Sequence, residues 1–131
     1  MSEPKKVFIA GVFDCFHEGH LNLLFKASKL GNLTVGVVRD GAVKKQKGPD
    51  RPIYNEVFRQ RLVGNLGVVY GCYLIEDFLF PKDVLEAYDI ICLGEDQNHF
   101  LNIKDIPHDK LIILPRTPNV STTEIVRKLK G

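Results

Sequence analysis

Five short apolar runs alternate along the chain with segments whose apolar positions recur every three or four residues. The runs are Lys6–Gly11, Leu33–Arg39, Tyr73–Glu76, Ile90–Gly94 and Leu111–Leu114. The first, Lys6-Val7-Phe8-Ile9-Ala10-Gly11, is nearly all apolar, as a parallel strand covered on both faces should be. Behind it Leu21, Leu24, Phe25 and Leu30 fall at helical spacing and predict a helix over Gly19–Leu30. Further helices are expected over about Asn55–Leu66, Pro81–Tyr88 and Thr122–Lys130. Gly31 stands where a helix C-cap glycine belongs, and Pro81 opens its segment as a first-turn proline. Ser121 with Glu124 makes a capping box ahead of Ile125, Val126 and Leu129. Short strands alternating with helices predict a single doubly wound α/β domain over residues 1–131, with a five-stranded, mainly parallel sheet.

Composition narrows the partners. A formal net charge of +2 is too small to point to nucleic acid or to a membrane surface, and no apolar run approaches the roughly 18 residues of a spanning helix. Cys15, Cys72 and Cys92 are widely spaced and form no CxxC pair. Reduced thiols, and with them a cytoplasmic setting, are the expectation. No repeat or low-complexity linker divides the chain.

In a sheet of this kind ligands bind beyond the carboxyl ends of the strands. Four segments follow strand ends: those after Gly11, Arg39, Gly94 and Leu114. Behind the first stands the tetrad His17-Glu18-Gly19-His20, where the first strand hands over to the first helix and phosphate is commonly bound. Gly19 lets an anion approach the backbone. The two imidazoles can ligate zinc, with His99 and His108 as further candidates, act as acid and base, or hold a phosphoryl group as it transfers. The plainer alternative is a pair of surface or helix-capping histidines. Asp14 can orient a backbone amide, hold a histidine or cap the helix. The segment Lys44-Lys45-Gln46-Lys47-Gly48-Pro49-Asp50-Arg51 carries four basic residues against one acid. It reads as a mobile cationic arm that closes on polyphosphate, or as a solvated charge run. Arg59 either reaches the same phosphates or makes a surface ion pair. Arg116-Thr117-Pro118-Asn119-Val120-Ser121-Thr122-Thr123 places an arginine fork and hydroxyls at the start of the last helix, a further anion site. A capping box alone explains Ser121 and Glu124 but leaves Arg116-Thr117 unexplained.

Together these blocks resemble the cytidylyltransferase family, and especially its short bacterial branch of glycerol-3-phosphate cytidylyltransferases, from Val7 to about Lys130. Gly11-Val12-Phe13-Asp14 with His17-Glu18-Gly19-His20 is similar to the family's G-T-F-D and H-x-G-H. Lys45-Gln46-Lys47 with Arg59 resembles its lysine loop and following arginine, and Arg116-Thr117 with Val120-Ser121-Thr122-Thr123 its R-T-x-G-I-S-T signature. The resemblance implies a Rossmann-like domain that transfers CMP from CTP to a small phosphorylated (or phosphonate) acceptor and releases pyrophosphate. It implies catalytic roles for His17, His20, Lys47 and Arg116. Nucleotide contacts would come from Val12, Phe13, Asp14, Gly19, Lys45, Arg59, Asp96, Thr117, Val120, Ser121 and Thr122. Magnesium would arrive with the CTP, no protein residue would ligate a metal, and by analogy the chain would form a homodimer.

The match has departures. Val12 replaces the usual threonine, and Asn119 stands where glycine is usual, a residue that tolerates left-handed geometry better than other non-glycines. Glu76–Pro81, with Phe78, Leu79 and Phe80, differs from the glycerol-phosphate branch, so the acceptor stays open. Two rival readings are an ATP-dependent adenylyltransferase and a non-catalytic nucleotide-binding module. A nucleic-acid binder fits less well, because the basic residues cluster in one short segment.

Overall fold

The computed structural model describes residues 3–95, 97 and 99–116, and the five strands stand in the expected order along the chain. They are β1 (Lys6–Gly11), β2 (Asn32–Val38), β3 (Gly71–Ile75), β4 (Ile90–Gly94) and β5 (Leu111–Leu114). All pair in parallel, in the spatial order β3-β2-β1-β4-β5. The chain therefore builds outward from β1 through β2 to β3, then returns to β1's other side for β4 and β5. The crevice between β1 and β4 is the point where strand order reverses, the place where such sheets take their ligands.

Helices α1 (Glu18–Ser28), α2 (Asp40–Lys47), α3 (Glu56–Gly64) and α4 (Lys82–Ala87) connect the strands, and a short 3₁₀ turn covers Ile103–Asp105. The strand residues alternate between two cores. Val7, Ile9, Leu33, Val35 and Val37 pack with Leu24 and Ala27 of α1 and Val63 of α3. Phe8, Ala10, Val38 and Ile91 pack with Val43 of α2 and Val84 of α4. Val7, Phe8, Ile9 and Ala10 are fully buried, which is why β1 has no polar face to show in its sequence. Among the described residues no helix is long and apolar enough to cross a membrane.

Three local expectations are corrected. The first half of the basic segment expected as a mobile arm, Lys44–Lys47, is the end of α2, which has Asp40 in its first turn and Lys44, Lys45 and Lys47 in its last. Those charges complement the helix dipole at both ends, and Gly48 at φ +102° ends the helix. Its one buried position, Val43, gives no apolar periodicity to read. Gly31 does not cap α1, which ends at Ser28 with Lys29 as its right-handed cap. Gly31 instead lets the chain pass against β1: a Cβ there would come within 2.2 Å of the Lys5 carbonyl oxygen. Pro81 precedes its helix by one residue, as the N-cap. The helix expected over Thr122–Lys130 and the Ser121–Glu124 capping box lie outside the described residues.

Candidate functional site

The segment leaving β1 is bent sharply before it becomes a helix. Phe13 and Cys15 both hold positive φ, at 55° and 48°, a conformation that costs energy in non-glycine residues and clusters at functional sites. Gly11 permits the bend, since a Cβ there would meet the Phe13 ring at 2.9 Å. Gln97, just past β4, braces the crevice from the other side. Its side chain donates to the Ala10 carbonyl at 3.0 Å and accepts from the Gly94 N–H at 2.9 Å. No sequence motif singled out Gln97, because a lone glutamine has no periodicity or spacing to mark it.

The bend delivers His17 as the N-cap of α1. Its Nδ1 accepts from the Gly19 N–H at 3.0 Å, and the Nδ1 of His20 accepts from the His17 N–H at 3.2 Å. The two rings stack 3.8 Å apart, 21° from parallel, with Phe13 and Phe16 against His20. The helix-capping alternative is thus realised, and it has a chemical consequence. A ring nitrogen that accepts cannot carry the proton, so both neutral imidazoles hold it on Nε2. Burial, the His17 ring and the nearby Lys47 push the His20 pKa down to about 3, and burial lowers that of His17. At neutral pH the pair is uncharged. His17 Nε2 is buried with no hydrogen-bond partner, a donor held ready for an acceptor oxygen. Gly19 is helical, and its amide points to His17 rather than outward.

Asp14 is buried and orients backbone, one of the three roles open to it. Its carboxylate accepts from the N–H groups of Cys15 (3.1 Å), Ile53 (2.6 Å) and Tyr54 (2.9 Å), and Arg51 Nε lies 3.7 Å away. It therefore locks the segment after α2 against the bend before α1. Lys47, at the end of α2, is partly buried near Arg51 and His20, and burial and Arg51 both lower its pKa. Lys45, two residues earlier, is exposed on another face of α2.

Arg59 occupies neither place expected of it. It is fully buried. Its Nε donates to the Tyr54 carbonyl, its Nη1 to the carbonyls of Val12 and Val38 at 2.8 Å, and its Nη2 to Asp40 at 2.6 Å. It ties the end of β2, the bend and the start of α2 together from inside. A guanidinium so engaged faces protein, not phosphate. Arg59 interrupts no apolar pattern in the sequence that would betray this, because its partners are carbonyls brought in by the fold.

Arg116 follows β5 on the same rim. Its N–H donates to Glu95, whose own N–H donates to Leu114, so the ends of β4 and β5 are joined. Val12 is half-buried, its carbonyl held by Arg59, and the buried Phe13 packs its ring on His20. Asp96, Thr117, Val120, Ser121 and Thr122 lie outside the described residues. Among the described residues no group of three or more His, Cys, Asp or Glu could hold a metal; nitrogen donors face this end of the crevice, and they suit anionic oxygens better than a hard cation.

Comparison with known proteins agrees with this fold. A solved lipopolysaccharide core biosynthesis protein from Thermoplasma volcanium superposes with a TM-score of 0.64 at 31% identity, covering 87% of this chain and 97% of that one. A FAD synthase from Korarchaeum cryptofilum is 34% identical, over 95% of this chain and 91% of that protein. An ethanolamine-phosphate cytidylyltransferase from Dictyostelium discoideum is 35% identical over 97% of this chain, which spans 37% of its length. The bifunctional protein HldE of Helicobacter pylori is 33% identical over 99% of this chain, which spans 29% of that protein. Residues 8–128 match the cytidylyltransferase-like family, and the chain, with its parallel sheet and its histidine pair at the switch point, belongs to it.

Proposed function

We propose that this protein transfers a nucleotidyl group, CMP from CTP, to a small phosphorylated acceptor. The observation that carries the reading is the stacked, neutral histidine pair, with Nε2 protons held by the cap geometry at the β1–β4 crevice, beside Lys47 and Arg51. An oxygen of the acceptor phosphate attacks the α-phosphorus, the bond from that phosphorus to the bridging oxygen breaks, and pyrophosphate leaves. Charge builds on the equatorial and bridging oxygens during this displacement. Neutral N–H donors and a nearby ammonium held in place beforehand stabilise it without reorganising. Magnesium arriving with the nucleotide would offset its phosphate charge, and no covalent enzyme intermediate forms. The cytidine preference rests on Arg116-Thr117 and the residues after them.

ATP is the second reading, favoured by the likeness to a FAD synthase over nearly the whole of both chains. The product that name states contains an adenylyl group. The deciding experiment follows pyrophosphate release with magnesium and either CTP or ATP. The acceptors are glycerol 3-phosphate, ethanolamine phosphate, other phosphorylated polyols and flavin mononucleotide. Turnover with CTP is expected; turnover with ATP alone replaces the nucleotide and keeps the chemistry. Nucleotide binding without pyrophosphate release from any acceptor sinks the catalytic reading.

A further inference from the structure

Arg51 belongs to none of the matched motifs, yet the fold gives it an unusual position. Its side chain is only 14% exposed, its Nε is buried without a hydrogen-bond partner, and its ion-pair contact with Asp14 is long, at 3.7 Å. The Asp14 oxygens already accept from three backbone amides. They offset the charge of Arg51 without holding it by a hydrogen bond. Lys47 shares the same carboxylate at a distance, so two cations lean on one anion, with the uncharged His20 beside them. Burying a guanidinium Nε–H without a hydrogen-bond partner is costly. The chain could relieve that cost by letting the side chain out into solvent. Instead, Asp14 clamps the backbone just beyond Arg51, at Ile53 and Tyr54, and keeps the side chain inside.

We propose that Arg51 is a phosphate-binding residue of the nucleotide site, whose guanidinium takes oxygens of the triphosphate together with Lys47 and the histidine pair. This rests on the nucleotidyltransferase reading for its ligand. A planar fork of donors suits phosphate oxygens, and with a phosphate in place the unpartnered Nε acquires its acceptor.

The test uses inorganic tripolyphosphate as the probe, with binding measured by calorimetry on the whole chain, so no turnover is required. Arg51→Gln is expected to weaken binding by about ten- to a hundredfold, the worth of charge-assisted hydrogen bonds, with no fall in Tm. Lys104→Gln, an exposed lysine on the 3₁₀ turn, loses the same formal charge and should bind within about twofold of the parent. Equal affinity of Arg51→Gln and the parent overturns the proposal, as does an equal loss in Lys104→Gln, which would mark bulk charge alone. Should Arg51→Gln fail to fold, Arg51→Lys decides: it keeps the charge but not the fork, and unchanged tripolyphosphate affinity would likewise overturn it. Tripolyphosphate binding that depends on Arg51, in a protein that turns over no nucleotide, supports this site while sinking the transferase reading.

Discussion

Two arginines eight residues apart in the sequence both reach the bend between β1 and α1, and the fold treats them in opposite ways. Arg59 is fully buried and makes hydrogen bonds to three carbonyls and a carboxylate. Arg51 is nearly as enclosed, but its Nε makes none. The same contrast runs through the histidines, whose Nδ1 atoms are engaged by the backbone while His17 Nε2 is left over. Each donor nitrogen of Arg59 answers an acceptor in the protein, which gives rigidity. Around the histidines the backbone is held firmly while His17 Nε2 and Arg51 Nε are left without an acceptor, which is what a preformed anion site requires.

The contrast predicts that changes around the histidines cost rate, while changes at Arg59 cost stability. The largest expected effect is on the histidines. His17→Asn retains an N-cap acceptor but loses the Nε2 donor, and His20→Ala removes its ring altogether. Each should lower turnover by about a hundred- to a thousandfold or more, with Tm falling little for His17→Asn. A loss below about tenfold would remove the pair from the reaction. Next, Arg59→Met should destabilise the fold by about 3–5 kcal/mol, because Asp40 and three carbonyls lose their partner. Urea unfolding measures this, and a variant as stable as the parent would break the comparison at Arg59.

Acidification should expose the histidines through stability. Their folded pKa values lie below the unfolded value of 6.5, that of His20 at about 3. The unfolded chain therefore binds more protons as pH falls through this window. Stability is present above pH 6.5 and declines towards pH 3, by at most about 1.4 kcal/mol per pH unit for one group. Comparing the urea midpoint at several pH values for the parent and for His20→Asn checks this; identical slopes would contradict it. The smallest effect separates the two lysines. Lys47→Ala should reduce turnover by about tenfold or more, and the exposed Lys45→Ala by less than about threefold. Equal losses would mean that α2 acts through its net charge rather than through the position of Lys47.

β1, β2 and β4 were legible because burial on both faces leaves almost nothing but apolar residues, a signal local to each run. β1, β4 and β5 end where the hydrophobic runs end, and β2 and β3 differ by one or two residues. α2 was not legible, because eight residues with a single buried position carry no period. The histidine tetrad announced itself by composition and by its place after β1. The capping geometry that sets its tautomer did not, since that depends on φ and ψ at the bend.

By itself the sequence determined the all-α/β alternation, the strand runs, the rim on which the chemistry gathers and the tetrad at its centre. These follow from periodicity and chain order, which are properties of neighbours along the chain. Only the tertiary structure decided that Arg59 is scaffold, that Asp14 orients backbone, and that Gln97 braces the two strands where their order reverses. Each of those depends on which carbonyls and amides arrive from distant segments. A polar side chain's role is set by the partners it finds, and the fold alone supplies them.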